Sequence, residues 1–561
     1  MTENQFINYL NQYNVLSPNH SKIYDEYTND SNSELFSFTI DTKIEDHLKT
    51  LFEKNPGSVI LTGNAGDGKT RLCRTIYNHF NQQKLQDWPD DGIIDVPIDN
   101  EKTIRIVKDL SELKDEVIER ELIHLQTNIQ NNHEEGIYYL IAANEGKLTK
   151  FLSQNSNLDF LKIGVRERFS NYHNNTSQFS LLNLMDVTSS LYVDKVLDEW
   201  NKEEYWTPCS ACSKRDTCII YFNHKKTSLE LVKERLVEQY RLLDYLGTHI
   251  TMREMLIHIS YVLTGGFICK DIHNREIEDF QNQMSKPYYE NFFGNGIEHE
   301  AFAEMGAIKI FKEFDPGNYS DSKIDDFIIN GDLSSLEKLE DIHANLFNED
   351  IDLQRRYFRK CLELYRNHSN DSNEDFIDQW IYKLRRKFYF EFPVEEFFDR
   401  KNLIPFSYIN SYESLFNDRA RQAHIRKDLI TGLNRAFAKK LVEPKSELLA
   451  TNENLMIHSI FKTSQLKIEE EDCLEELDHR SSKFYLKVEN LSIPMNLYLF
   501  EFLMRLRAGD THNVLKENVE ILIDTFKNEL IKLSEPDPYL LNILRYEKDK
   551  GLYIRDEIEI P

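Results

Sequence analysis

Cysteine is scarce in this chain, seven residues in 561, and three of the seven fall within ten positions of one another. So sparse a set excludes the disulfide framework of a small secreted fold. Long apolar runs are missing too. No stretch approaches the roughly 20 residues that span a bilayer. The N-terminal MTENQFINYLNQYNVL has neither a basic start nor an uninterrupted apolar segment, so a cytoplasmic protein without membrane contact is expected. Basic charge is in deficit: 68 Lys and Arg against 95 Asp and Glu give a net charge of −27, which excludes non-specific nucleic-acid binding by the whole surface. There is no internal repeat, no low-complexity tract, no second phosphate-binding sheet of the kind a helicase motor needs, and no nuclease constellation. What is there is a chain 40% apolar and 12% aromatic, long enough for about two to four domains with sizeable cores.

The most informative stretch is SVILTGNAGDGKTRLCRTIYNHF, Ser58 to Phe80. A β-capable run leads into Gly63, Asn64, Ala65, Gly66, Asp67, Gly68, Lys69 and Thr70, and a helical pattern follows from Arg71. That is G-x-x-x-x-G-K-T between a strand and a helix, the setting a phosphate-binding P-loop requires. Its glycines let backbone N–H groups turn inward around a phosphate, and the following helix points its positive end at the same place. Lys69 supplies a mobile charge, and Thr70 is expected to place its hydroxyl on Mg²⁺. ATP and Mg²⁺ are therefore the expected cofactors.

Further site residues are expected downstream. The run Ile104 to Asp109 ends in an acid, as a Walker B strand does, although Leu110 stands where a second acid is usual, and Asp95 and Asp99 compete for the role. GIYYLIAANEGKL reads as a buried strand ending at Asn144, suited to the water-orienting sensor 1 of AAA+ ATPases, with Glu145 as the water-activating carboxylate that the Walker B stretch lacks. Arg166 and Arg168 stand where such proteins carry an arginine finger. Arg253, at the start of the apolar-faced helix after Thr251, could reach the γ-phosphate as sensor 2. Cys209, Cys212, Cys218 and His224, spaced C-x2-C-x5-C-x5-H, form a knuckle with the donors for a closed, structural zinc site.

The expected fold class is α/β: a P-loop NTPase (AAA+-like) parallel sheet domain, then a mostly helical region and a smaller α+β C-terminal region. The boundaries read as an N-terminal segment 1–50, a nucleotide-binding core 51–200, the cysteine knuckle and helical lid 201–266, a helical domain 267–445 and a C-terminal domain 446–561. From Arg355 to Lys440 there are 18 Lys and Arg against 12 Asp and Glu, in three basic clusters interleaved with aromatics: Arg355 to Lys360, Lys383 to Tyr389, and Arg419 to Lys427. That pattern suits either backbone contact with base stacking or a helix with an aromatic core side and a solvated charged side.

LTGNAGDGKT, LIAANEGKL, the cysteine knuckle, HITMREML, YYENFFG, FDPG, LITGLNRAF and LYLFEFLMRLRAGD, in this order, resemble the DptF proteins, the ATPase-like subunits of bacterial DNA phosphorothioation-dependent restriction systems. The resemblance implies an antiviral NTPase that acts with DptG-like and DptH-like partners on DNA lacking the sulfur modification. It leaves oligomeric state open. The incomplete acid pair keeps a second option, a nucleotide-gated scaffold or switch that binds ATP with little turnover.

Overall fold

The computed structural model describes residues 3–17, 40–170, 179–274, 277–331, 337–348, 351–367, 375–417, 419–510, 517–533, 535 and 537–560. Much of the expected N-terminal segment, residues 18–39, thus lies outside the described residues, as do the side chains of Arg355, Arg356, Arg419 and Arg421. The chain forms two compact units. One comprises Met1–Arg241, His249–Phe398 and Leu474–Arg480, the other Leu242–Thr248, Asp399–Cys473 and Ser481–Pro561.

The first unit opens with helices α1 (Gln5–Leu10) and α2 (Lys43–Lys54) and is built on five strands, β1 (Ser58–Thr62), β2 (Ile93–Pro97), β3 (Thr103–Val107), β4 (Ile137–Ala143) and β5 (Phe179–Asn183). Their order is β2-β3-β4-β1-β5. Strand β1 runs parallel to both β4 and β5, and β3 parallel to β4, whereas β2 is antiparallel to β3. The α/β architecture is as expected, but the sheet is mixed rather than parallel. The reason is local: only Ile98–Lys102 separate β2 from β3, far too few for the crossover that parallel neighbours need, and Ile98 and Asp99 N–H close a tight turn on Lys102 O.

All five residues of β1 are buried. Ile60 packs with Tyr139, Ile141 and Ala143 of β4 into a core that includes Leu122 and Leu125 of α4 (Asp115–Gln130), Leu148 of α5 (Glu145–Gln154) and Leu161 of α6 (Asp159–Ser170). The alternate residues Val59, Leu61, Leu140 and Ala142 are buried too, so the sheet is covered on both faces. Helix α3 (Lys69–Phe80) leaves directly from the loop after β1.

Helices α7 (Ser189–Trp200), α8 (Glu203–Ser210), α9 (Ile219–Thr227), α10 (Glu230–Leu246), α11 (Met252–Thr264) and α12 (Cys269–His273) follow. The expected start and stop of α11 are both found: Thr251 and Glu254 form a capping box, and Gly265 ends the helix at φ 62°. Among the described residues Met252–His273 is the one helical stretch apolar and long enough to cross a membrane. It is interrupted at Gly265, and Ile257, Ile259, Val262 and Leu263 are buried, as in the core helix of a folded unit.

Two histidines anchor this helical part. His258 Nε2 lies 2.9 Å from Phe292 O, and its Nδ1 accepts from Tyr240 Oη at 2.7 Å. His224 stacks on Trp206 with ring centres 4.1 Å apart. Burial holds both imidazoles down at about 4. Below pH 6.5 the unfolded chain takes up protons that the folded one refuses. The stability these neutral rings contribute is therefore complete above pH 6.5 and lost as pH falls toward 4, roughly 3 kcal/mol for each. Urea midpoints measured from pH 7 to 4.5 should fall accordingly, and His258→Gln should flatten that slope.

The basic cluster Lys383 to Tyr389 is not a free face. On helix Asp375–Glu391, Arg386 pairs with Asp315 at 2.8 Å and Glu290 at 3.0 Å, and Arg385 with Asp325 at 2.7 Å. Lys387, with no solvent exposure, lies 3.2 Å from both Asp352 and Glu391. YYENFFG and FDPG supply Glu290 and Asp315. Any side chain on Gly317 would press into the Arg386 guanidinium, which explains the glycine. For this cluster the nucleic-acid option gives way to an internal ion network. Tyr357, Arg359 and Lys360 in the cluster before it are exposed.

The second unit pairs helix Arg419–Ala438 with helix Leu497–Ala508, Gly432 admitting Leu503 O where a Cβ would clash, and its strand pairs among the described residues are antiparallel, with one isolated parallel bridge between Val442 and Tyr553. The LITGLNRAF and LYLFEFLMRLRAGD stretches thus meet along one helix contact.

Candidate functional site

Strand register brings the expected residues to one edge. Thr62 of β1 sits opposite Ala143 of β4 and Asn183 of β5, so Gly63 and Asn144 leave neighbouring parallel strands side by side. Val107 of β3 sits opposite Ile141, which carries Asp109 to the same edge. Crevices at the carboxyl ends of parallel strands are where α/β sheets bind ligands. Because β2 is reversed, Asp99 falls at the far edge, in the turn before Thr103, and Asp95 is held by Arg105 at 2.8 and 2.9 Å. Of the three competing acids, Asp109 alone follows the carboxyl end of a parallel strand beside β4.

The loop from Gly63 to Thr70 wraps tightly. Gly66 has φ 100° and lies so close to α11 that a Cβ would come within 3.1 Å of Arg253 Cβ and 3.2 Å of Thr251 Oγ1. Gly68, at φ 88°, turns the chain into α3 in the left-handed conformation a side chain resists. Lys69, 7% exposed, curls back to donate to Gly63 O at 2.9 Å and Asn64 O at 2.7 Å. Burial lowers its pKa, while the carboxylates of Asp109 and Asp67 pull it up and Arg253 lowers it further. Lys69, Asp109 and Arg253 therefore share one electrostatic neighbourhood, and Arg253 N–H donates to Gly66 O at 3.1 Å.

Asp67 and His249 carry a contact that spacing alone does not reveal. One Asp67 oxygen accepts Asn64 N–H at 2.5 Å, and the other lies 2.8 Å from His249 Nε2. A carboxylate thus sits on a backbone amide of the loop and ties it to the residues just before α11.

Two hollows flank the loop. An open cleft of about 650 Å³ is lined by Asn64, Asn144, Glu145, Thr149, Lys150 and Met185. A second, small pocket of about 60 Å³ is lined by Ile44, Leu72, Leu184, Tyr192, Ile250 and Met252 and equally by polar residues, among them Glu45, Asp67, Arg71, Ser189 and His249. Tyr192, Ile250 and Met252 were not among the expected site residues; short apolar stretches carry no signal of a ligand until the fold gathers them.

Asp109 and Asn144 also serve the backbone. Asp109 accepts Ser111 N–H at 2.7 Å, and Asn144 caps α5 through Lys147 N–H at 3.2 Å, placing Glu145 in the first turn. Lys147 Nζ bonds Ser111 O at 2.9 Å, linking the two strand ends. Arg168 is not placed as a finger toward a neighbour: it turns inward with its guanidinium 3.9 Å above the Phe179 ring. Arg166 is exposed on α6.

The expected zinc set is not assembled. Among the described residues no three Cys, His, Asp or Glu side chains stand at coordinating distance around one point. His224 Nδ1 lies 3.0 Å from Asn201 Oδ1 and the ring stacks on Trp206, while Nε2 is buried without a partner among the described residues. Burial raises the Cys209 thiol and pushes Cys218 up to about 12. Comparison of the chain with protein-family models, with curated proteins and with solved structures finds no match.

Proposed function

We propose that the chain is an AAA+-like P-loop ATPase that binds Mg·ATP at Gly63–Thr70. On the strength of its motif resemblance, we further propose that it serves a DptF-like role in a phosphorothioation-dependent DNA restriction complex, beside DptG-like and DptH-like partners. One observation carries the nucleotide reading: register brings the glycine loop after β1, Asp109 after β3 and Asn144 after β4 to a single sheet edge.

In this reading the phosphates take the loop N–H groups and the N-terminus of α3. The γ-phosphate faces the Asn144–Glu145 cleft, and the base lies outside the small pocket beside Tyr192 and Ile250, which at about 60 Å³ is too small to enclose a purine. Thr70 and Asp109 are the residues that would hold Mg²⁺, which shields the phosphate charge. Lys69 leaves its two carbonyls for the phosphates, and Arg253, whose backbone already touches Gly66, approaches from α11. Asp67 opposes binding, because its carboxylate takes an amide and adds negative charge beside the phosphate site. Asp67→Asn keeps the acceptor and removes the charge, so its ATP affinity should rise by roughly threefold to tenfold in calorimetric titration.

The direct test is titration with Mg·ATP, with phosphate release followed with and without DNA and partners. Micromolar to millimolar binding with measurable turnover supports the ATPase reading. Absence of binding at several millimolar removes it. Binding without turnover under every condition selects the switch reading, which Leu110 in place of a second acid favours.

A further inference from the structure

Lysine is seldom buried, because its ammonium must then leave water. Lys286 is 5% exposed all the same. It stands between helix Ile277–Met284 and Pro287, and its backbone is fixed there: Asn291 Nδ2 and Asn223 Nδ2 both donate to Lys286 O, at 2.9 and 3.1 Å. Room for the side chain comes from the glycine that ends α11. A Cβ on Gly265 would stand 2.9 Å from Lys286 Cβ.

The Nζ atom lies between two neutral oxygens, donating to Tyr261 Oη at 3.1 Å and to Gly296 O. Among the described residues no carboxylate pairs with it. Lys387 shows the contrast, with Asp352 and Glu391 both at 3.2 Å. Three N–H groups serve two acceptors at Lys286, so one donor and an unmatched charge remain. Burial lowers the Lys286 pKa, while the carboxylates of Glu298 and Glu290 act against the shift. Tyr261, Lys286 and Gly296 together line a cavity of about 130 Å³. Val15, Ile297, Ala301 and Met305 supply an apolar wall, Asn14 and Asn282 their amide groups, and the exposed Glu298 a negative charge. An apolar cavity of roughly 150 Å³ holds a benzene molecule, so a ligand here has about six to nine non-hydrogen atoms.

We propose that this cavity is a binding site for a small organic monocarboxylate, with its carboxylate on the Lys286 ammonium and its apolar part against Val15, Ile297, Ala301 and Met305. The anion takes the remaining N–H and supplies the counter-charge that the fold withholds. A single cation beside an apolar wall suits one carboxylate better than a phosphate, whose oxygens call for several donors. Glu298 selects against a second negative charge on the ligand. The cavity lies at the C-terminal end of α11, whose other end meets the glycine loop through Arg253 N–H. The site is thus separate from the one proposed for nucleotide, and its test does not depend on what the loop holds.

The test is calorimetric titration of the full chain, without nucleotide, with butanoate, hexanoate and benzoate. The proposal expects saturable binding of at least one of them, with Kd between about 10 μM and 1 mM, and a Tm that rises with its concentration. The matching neutral amides, and the dianion butanedioate, should bind at least about tenfold more weakly. Lys286→Met should lose about tenfold or more in affinity while its Tm holds or rises, because a buried charge without a counter-charge is gone. If that variant misfolds, Ala301→Leu, which fills the cavity and leaves Lys286 in place, should lose binding instead. No saturation by any of the three acids at about 10 mM, amides that bind as well as acids, inorganic phosphate bound in preference to them, or undiminished affinity in Lys286→Met or Ala301→Leu overturns the proposal.

Discussion

Replacement of Lys69 by alanine is expected to leave a folded protein that no longer holds nucleotide, with ATP affinity down at least about 100-fold, or about 3 kcal/mol. The ammonium sits at the centre of the loop, bonded to Gly63 O and Asn64 O. Asn64 is exposed, so its carbonyl can turn to water when the ammonium is removed, and the cost to folding is confined to the buried Gly63 O. The cost to a triphosphate is larger, because the Asp67 and Asp109 carboxylates that act on Lys69 then face the phosphates without a counter-charge. Lys69→Arg is not a rescue: a planar fork does not fit a seat shaped for a point donor between two carbonyls. Calorimetric titration with Mg·ATP reads the loss, and unchanged Tm shows that it is not unfolding. If the chain serves the proposed restriction role, the same variant should restrict phage no better than a deletion in cells. Binding within threefold of wild type would show that the loop holds something other than phosphate.

Some of this was readable along the chain and some was not, for physical reasons. The glycine loop announces itself because Gly66 and Gly68 adopt conformations that L side chains resist, and the Thr251–Glu254 box and Gly265 mark α11 through local hydrogen bonding. Such features depend on neighbours a few residues away. The choice among Asp95, Asp99 and Asp109 depends instead on the direction of β2, decided by a turn whose geometry is not encoded in strand composition. Basic residues at 383–387 look available when charges are counted in order, yet their partners Glu290, Asp315, Asp325 and Asp352 lie 31 to 96 positions away.

The sharpest separation of binding from turnover lies in Asn144 and Glu145. Asn144 has two duties, since its oxygen caps α5 through Lys147 N–H. Asn144→Ala confounds them, losing about 1 kcal/mol of helix capping. Asn144→Ser keeps a capping oxygen and removes the amide that would hold water against the γ-phosphate, so Tm should stay while turnover falls. Glu145→Gln is nearly isosteric in the first turn of α5 and cannot take a proton from water. In each variant ATP should bind within about threefold of wild type, while phosphate release drops roughly 100- to 1,000-fold, the range expected when one preorganised group is removed from a site that works by positioning. Asp109→Asn, which preserves the turn at Ser111, should instead raise the Mg²⁺ concentration needed. Equal turnover in wild type and Glu145→Gln would remove Glu145 as the base. If wild-type turnover is itself negligible with DNA and partners present, Leu110 in the place of the second acid becomes the explanation, and nucleotide occupancy rather than hydrolysis is what partners sense through α11.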